Sequence, residues 1–158
     1  MEIHRLELTL TEQDLNDLAR EHLLEDVPVE DLEIRITPSG VRVTGAYQLF
    51  VPVSFEAVWE LGVDQGRPTA RLSTFKTMGM PANVLKSLIM NIVADAARKE
   101  RWLEVHADVV RVDLDGFLKK KGLNAQTHLT AIRCLVAAIV IEGGHQAAAA
   151  GVPPIASS

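Results

Sequence analysis

Residues 41–63 read VRVTGAYQLFVPVSFEAVWELGV, a long run in which apolar and polar residues alternate. Its odd positions are apolar, aromatic or glycine, whereas most even positions are polar, small or charged, including Glu56 and Glu60. A period of two residues directs one side of an extended chain toward a core and the other toward water. The run far exceeds an ordinary strand of roughly 5–6 residues. Gly45 and Pro52 are therefore expected to bend or interrupt it, giving one bent ribbon or two strands in series.

A helical period follows directly after Pro81, a residue suited to the first turn of a helix. Between residues 82 and 98, apolar side chains recur at helical spacing at Val84, Leu85, Leu88, Ile89, Ile92, Val93 and Ala96. This stripe is broad enough to be covered by a curved sheet. The two patterns together predict an α+β fold in which a long, strongly curved antiparallel sheet wraps one long amphipathic helix.

The remaining segments predict short strands and one further helix. Thr11 is a good N-cap, and Asp14 follows it at the spacing of a capping box, so a short N-terminal helix is predicted over residues 11–24. The apolar phase changes parity within residues 103–114, which predicts one strand with a bulge. Other alternating runs predict strands at residues 6–10, 32–36 and 69–76 and a last strand at residues 124–141.

Length and composition predict one domain. The chain has 158 residues, of which 47% are hydrophobic and 23% charged, enough for a sizeable core without disulfides. Residues 1–143 are predicted to form this domain. Residues 144–158, rich in alanine and containing two adjacent prolines, have little to bury and are predicted to be a disordered tail.

The charge and the apolar runs exclude several classes of function. A net charge of -5 argues against a nucleic-acid partner, since neutralising phosphates requires a basic face. The alternating N-terminus lacks the apolar core of a signal peptide, and no run reaches the roughly 20 apolar residues of a membrane span. A complete chain of this kind is expected in the cytoplasm. The single cysteine, Cys134, lies in an apolar run and is expected to be a buried, inert thiol.

The sequence shows no recognisable catalytic or metal centre, and we expect a non-enzymatic protein without metal or cofactor. The five histidines lack metal-ligand spacing. Glu104, His106 and Asp108 alternate on one predicted strand and could form an acid–base or metal cluster, but a solvated polar face is the preferred interpretation. An enzyme built on a helix-wrapping sheet would need a carboxylate beside the central helix, and Asp95 falls outside the apolar stripe.

Several segments occur in the order found in a known family. They are Leu8–Asn16, Gly40–Gly45, Val51–Phe55, Gly79–Pro81 and Val112–Asp115. This order resembles that of the bacterial tubular lipid-binding small proteins of the bactericidal permeability-increasing-like group, over about residues 8–118. The resemblance implies a long helix wrapped by a highly curved antiparallel sheet and an apolar groove for acyl chains. It also implies that the protein has neither catalytic residues nor a cofactor.

Two functions remain open from the sequence. The first is non-catalytic binding of lipid-like or other apolar ligands in a groove between sheet and helix. The predicted lining consists of Leu49, Val51, Val53, Phe55 and Trp59 from the sheet and Leu85, Leu88, Ile89 and Ile92 from the helix. The alternative is a protein-interaction module with a filled interior, which forms a homodimer or docks through Phe50, Val58 and the last strand.

Basic residues cluster after the long helix and near residue 120. They are Arg98, Lys99, Arg101, Lys119, Lys120 and Lys121. Such a cluster can contact anionic lipid headgroups or phosphates, so peripheral membrane contact is a further candidate interaction. Solvated lysines are the plainer interpretation of the same residues.

Overall fold

The computed structural model describes residues 5–22, 27–123 and 127–144. Within them, 53% of residues are in nine strands and 27% in three helices. In chain order the elements are β1 (Arg5–Thr11), α1 (Glu12–His22), β2 (Val29–Thr37), β3 (Gly40–Gln48), β4 (Pro52–Asp64), β5 (Arg67–Thr77), α2 (Ala82–Lys99), β6 (Leu103–His106), β7 (Val109–Val112), α3 (Leu114–Lys120), β8 (Leu129–Cys134) and β9 (Ala138–Gly144). Except for Gly144, the predicted disordered tail lies outside the described residues.

The strands form two antiparallel sheets. The larger sheet has the order β2-β3-β4-β5-β7-β6, and the smaller one has the order β1-β9-β8. Residues 41–63 supply two neighbouring strands of the larger sheet, joined by a turn at residues 49–51. The prediction of one ribbon or of two strands in series is therefore wrong. Tyr47 pairs with Val53, so odd positions face odd positions and the apolar sides of both strands fall on one face of the sheet.

A bulge in β5 keeps that apolar face continuous across the sheet. Phe75 pairs with Ala57 and Leu72 pairs with Trp59, so inward positions change from odd to even along β5. The register shift falls between the pairs of Val58 and Trp59. Ser73, the residue inserted there, donates its hydroxyl to the Val58 carbonyl at 3.0 Å.

Two different structures cover the apolar face of the larger sheet. At one end, the smaller sheet and α1 enclose a first core around Ile34, Ile36, Val41, Leu129, Ile139 and Ile141. At the other end, α2 packs over a second core whose buried members are Val53, Phe55 and Leu85. The strand β4 runs through both cores, since Trp59 and Leu61 pack against the first.

The predicted fold class, a long curved sheet wrapped around one long helix, is contradicted by this arrangement. At about 3.3 Å per residue, a strand as long as β4, with 13 residues, extends roughly 43 Å. The helix α2 covers only part of that length, and the smaller sheet covers another part. Only Leu85 and Ala96 of α2 are buried, so the helix lies on one side of the sheet instead of at its centre.

Two predicted single strands are hairpins. The segment 103–112 turns at Ala107, whose φ of 54 is in the left-handed region, and His106 pairs with Val109. The predicted last strand, 124–141, turns at residues 135–137, where the Leu135 amide donates to the Ala138 carbonyl at 2.8 Å. The predicted N-terminal helix is confirmed in position, as α1. The last two residues of its predicted span, 23 and 24, lie outside the described residues.

Side chains of α1 close the free edge of the larger sheet at β2. The Asn16 carboxamide accepts a hydrogen bond from the Ile34 amide at 3.1 Å and donates one to the Ile34 carbonyl at 3.2 Å. The Glu12 carboxylate accepts from the Ile36 amide at 2.8 Å. These side chains take the place of a neighbouring strand, so this part of the edge is not available for pairing with another chain.

The contribution of Asn16 to the stability of this edge can be measured by replacing it. Asn16→Ala leaves the amide and carbonyl of Ile34 without their partners, and we expect the free energy of unfolding to fall by about 1–3 kcal/mol. Urea denaturation followed by circular dichroism measures it. The matched control is Gln13→Ala on the same helix, since the Gln13 side chain bonds, within the described part of the chain, only to the exposed Asp17 and should change stability by less than about 0.5 kcal/mol. Equal effects of the two substitutions would contradict the edge-closing role.

Among the described residues, no helix combines the length and the apolar character needed to cross a membrane.

Candidate functional site

The second core brings together five of the nine residues predicted to line an apolar groove. They are Val53, Phe55, Leu85, Leu88 and Ile89. Leu85 has 0% exposure, and Val53 and Phe55 keep only 7% and 5%. The Phe55 ring stacks on Phe75 with centroids 6.0 Å apart. The side chains between α2 and the sheet therefore pack against one another at this point and fill the space.

The other four predicted lining residues lie elsewhere. Leu49 and Val51 belong to the turn between β3 and β4 and are exposed to solvent. Trp59 packs against the first core, under the smaller sheet. Ile92 is half-buried on α2. The sequence pattern placed Trp59 and Ile92 on the correct strand and helix but missed the turn at Leu49 and Val51. The turn and the smaller sheet separate these residues in space.

Exposed apolar side chains gather at one end of the larger sheet. Leu49, Phe50 and Val51 form the β3–β4 turn, Met78 follows β5, and Val84 lies in the first turn of α2; we call these five residues the apolar tip. Phe50 is 107% exposed and Met78 is 77% exposed. The strand register brings the turn and the end of β5 together, because β3 ends, β4 begins and β5 ends at the same end of the sheet. A cluster of exposed large apolar residues is typical of an interaction surface.

A shallow cleft lies beside the apolar tip, on the outer face of the larger sheet. It has a volume of about 490 Å³, and Thr44, Ala46 and Ser54 form part of its lining. Because side chains alternate along a strand, these small residues point away from the core and form the floor of the cleft. Met78 belongs to both the apolar tip and this cleft, which we call the outer-face cleft.

Gly45 stands between these residues on the core-facing side of the sheet, where the Phe55 ring leaves little room for a side chain. A Cβ at Gly45 would lie 3.1 Å from Cζ of Phe55, whose ring covers the glycine on the core side. The outer-face cleft is therefore closed from below by the second core, and a group entering it from outside meets backbone and small side chains.

The predicted basic residues lie at the C-terminal ends of α2 and α3. Lys99, Arg101, Lys119 and Lys120 line a cleft of about 440 Å³, which we call the basic cleft. Arg98 forms an ion pair with Asp95 on its own helix. Lys121 lies 3.2 Å from Glu21 and 5.7 Å from the Phe117 ring centroid, so Arg98 and Lys121 already have partners within the chain.

The alternating Glu104, His106 and Asp108 do not converge on one point. The His106 imidazole lies 3.1 Å from Glu104, whereas Asp108 is in the β6–β7 turn and pairs with Lys86 at 2.8 Å. Within residues 5–22, 27–123 and 127–144, no group of three or more His, Cys, Asp or Glu residues could hold a metal ion.

Partial burial raises the pKa of the Cys134 thiol above its usual value. This shift disfavours the thiolate, which is the nucleophilic form of cysteine. The interpretation of Cys134 as a structural residue therefore stays the better one.

Two residues of these surfaces were missed in the sequence. Met78 stands in the Met-Gly-Met-Pro segment directly before α2, and its neighbouring glycine was the available signal of an exposed turn. Trp102 lines the basic cleft, and its position between Arg101 and the strand β6 was the available signal.

Comparison of the chain with protein-family models, with curated proteins and with solved structures gives no match. The resemblance to tubular lipid-binding proteins thus stays a prediction.

Proposed function

We propose that the protein is a non-catalytic interaction module that forms a homodimer through its apolar tip and its outer-face cleft. The observation that carries this proposal is the fully exposed Phe50 next to a cleft floored by small residues. A projecting ring and a recess that could receive it lie side by side on one molecule.

This arrangement suits a two-fold axis. In a two-fold dimer the same surface is used by both subunits, so Phe50 of one copy enters the outer-face cleft of the other and the reverse contact follows by symmetry. Burying an aromatic side chain contributes roughly 1.5–3 kcal/mol, and the symmetry doubles this contribution. The cleft, at about 490 Å³, has room for a phenyl ring.

The charges at this end favour a protein partner over an anionic membrane. The charged residues that line the outer-face cleft are Asp31, Glu56 and Lys76, and the chain as a whole carries -5. A tip that inserts into an anionic bilayer is normally surrounded by lysine and arginine, because each contributes about 1 kcal/mol near such a surface. Half-buried Val58 lies on the same outer face and extends the apolar surface available to a second copy.

The dimer is tested by sedimentation velocity over a concentration series, with Phe50→Ser as the decisive variant. Losing two buried rings per dimer should remove about 3 kcal/mol or more of association free energy, so the dissociation constant should rise at least about 100-fold. The matched control is Val136→Ser, because Val136 is 79% exposed in the β8–β9 turn, away from the proposed interface. We expect Val136→Ser to dimerise like the unmodified chain.

A chain that stays monomeric at high concentration, or equal weakening by both substitutions, would contradict the proposal.

The second candidate function is binding of an apolar ligand between α2 and the sheet, and the half-buried Leu88, Ile89 and Ile92 favour it. Native mass spectrometry of protein purified from cells separates the two. A dimer without added mass supports the interaction module, whereas a monomer with a bound lipid mass supports the groove.

A further inference from the structure

The basic cleft is formed where the chain leaves α2 and where α3 packs beside it. Lys99 is the last residue of α2, Arg101 and Trp102 follow it, and Lys119 and Lys120 end α3. Trp102 is half-buried, and its indole packs edge-on against Phe117 of α3 with ring centroids 4.8 Å apart. The cleft therefore has an aromatic wall held by packing, with cationic side chains around it.

Three cations of this cleft have no ion-pair partner among the described residues. Ten of the 16 Lys and Arg residues form ion pairs with other described residues, namely Arg20, Arg35, Arg42, Arg71, Lys86, Arg98, Arg111, Lys120, Lys121 and Arg133. Of the remaining six, Lys99, Arg101 and Lys119 all border the basic cleft. The chain is acidic and pairs most of its cations, so a group of three unpaired cations distinguishes the basic cleft from the rest of the surface.

The acidic groups of the cleft are already occupied. The Glu100 carboxylate, whose side chain is 15% exposed, forms an ion pair with Lys120 and accepts a hydrogen bond from Trp102 Nε1 at 2.9 Å. The Asp113 carboxylate caps α3 by accepting from the Gly116 amide at 3.1 Å. Glu100 and Lys120 thus compensate each other, whereas Asp113 keeps its own negative charge beside the three unpaired cations.

The dipole of α2 does not cancel these charges. A helix C-terminus is equivalent to roughly -0.5 elementary charge. Set against the three unpaired cations together with the Asp113 carboxylate, it leaves the basic cleft with a net positive charge of about 1.5. A site of this charge attracts a polyvalent anion more strongly than a monovalent one.

We propose that the basic cleft binds a phosphate-bearing anion that carries at least two negative charges. Lys99, Arg101 and Lys119 donate to the phosphate oxygens, Arg101 in the bidentate geometry that guanidinium groups adopt with phosphate. Trp102 offers an apolar wall to the organic part of the ligand. A free phosphorylated metabolite and the headgroup of an anionic lipid share this chemistry.

The site is independent of the proposed dimer interface. The basic cleft lies at the C-terminal end of α2 and the apolar tip at its N-terminal end, and the 18 residues of the helix extend roughly 27 Å at about 1.5 Å per residue. Binding of phosphate can therefore be measured whether or not the chain dimerises.

The test uses inorganic pyrophosphate as the probe and tryptophan fluorescence as the readout. Trp102 lines the cleft while Trp59 packs in the first core, so the change on titration comes from Trp102 and should disappear in Trp102→Phe. We expect saturable binding at or below about 1 mM pyrophosphate. Lys119→Glu and Arg101→Glu should each raise the dissociation constant about 10-fold or more, while Lys119→Arg should retain binding.

The matched control is Arg67→Glu, because Arg67 is an exposed arginine at the start of β5, without an ion-pair partner among the described residues and outside the basic cleft. It makes the same change in net charge and should leave the dissociation constant within about 2-fold of the original value. If Arg67→Glu weakens binding as much as Lys119→Glu, the effect comes from overall charge and the site is refuted.

Sedimentation with vesicles of phosphatidylcholine, with and without phosphatidic acid, identifies the source of the phosphate. Co-sedimentation only with phosphatidic acid, reversed by pyrophosphate and by Lys119→Glu, assigns the cleft to a lipid headgroup. Saturable pyrophosphate binding without co-sedimentation assigns it to a free anion. The absence of both overturns the proposal.

Discussion

Leu85→Ala should lower the free energy of unfolding by about 2–5 kcal/mol. Leu85 has 0% exposure and lies under α2 against Val53 and Phe55, at the centre of the second core. Removing its isobutyl group loses the burial of that group and leaves a cavity, since the stacked Phe55 and Phe75 rings cannot easily move into the space. Equilibrium denaturation in urea, followed by tryptophan fluorescence and circular dichroism, measures the change.

The control for Leu85→Ala is its neighbour in the chain. Val84 is 46% exposed on the other side of the same helical turn, and Val84→Ala should change stability by less than about 1 kcal/mol. The two substitutions remove apolar groups from adjacent positions and differ mainly in burial. A small loss at Leu85, similar to that at Val84, would mean that α2 does not pack on the sheet as described and that the space beneath it is open.

The sequence pattern of residues 41–63 predicted the apolar face of the sheet correctly and its topology incorrectly. A period of two shows which side chains share a face, and it is the same for two strands in series as for a hairpin. The register of β3 with β4 pairs odd with odd positions, so the turn at residues 49–51 leaves no change in the pattern. The pairing of the two strands is a tertiary fact that alternation does not encode.

In the two hairpins that were predicted as single strands, the turn does change the apolar pattern, but the change has more than one possible cause. In 103–112, His106 pairs with Val109, so even positions face odd ones and the apolar phase changes at the turn. A bulge produces the same change of parity, so the sequence pattern predicts a bulge as readily as a hairpin. In β8 and β9, Ile132 pairs with Ile141, so apolar residues of both parities share one face. The predicted last strand is therefore two strands joined by a turn at residues 135–137.

The candidate surfaces were predictable only in part, for the same reason. The basic residues at the ends of α2 and α3 could be recognised from the sequence, but the convergence of Lys99 with Lys119 depends on how α3 packs beside Trp102. The exposure of Phe50 follows from its place in a turn that the alternating pattern concealed. Predicted lining residues on the same strand, such as Val53 and Trp59, were separated because different layers cover the two ends of β4.

The turn before β3 gives the second large effect. Gly40 has a φ of 140, and a Cβ at this position would lie 2.4 Å from the Trp59 carbonyl oxygen. A methyl group therefore meets the backbone of β4, which cannot rotate away as a side chain can. Gly40→Ala should cost roughly 2–4 kcal/mol, combining backbone strain with displacement of the neighbouring strand.

The control is Gly62→Ala in β4, opposite Thr69 of β5, where a Cβ would meet the Thr69 hydroxyl at 3.4 Å, an ordinary contact. Without a positive φ or a backbone clash, Gly62→Ala should change the free energy of unfolding by less than about 1 kcal/mol in either direction. Thermal and urea denaturation of the two variants measures the difference. Because Val41 pairs with Trp59 directly after Gly40, the strain enters the first core, and Gly40→Ala should lower the melting temperature more than Gly62→Ala. Equal melting temperatures would show that residues 37–40 adopt another turn, and the register of β3 against β4 would then need revision.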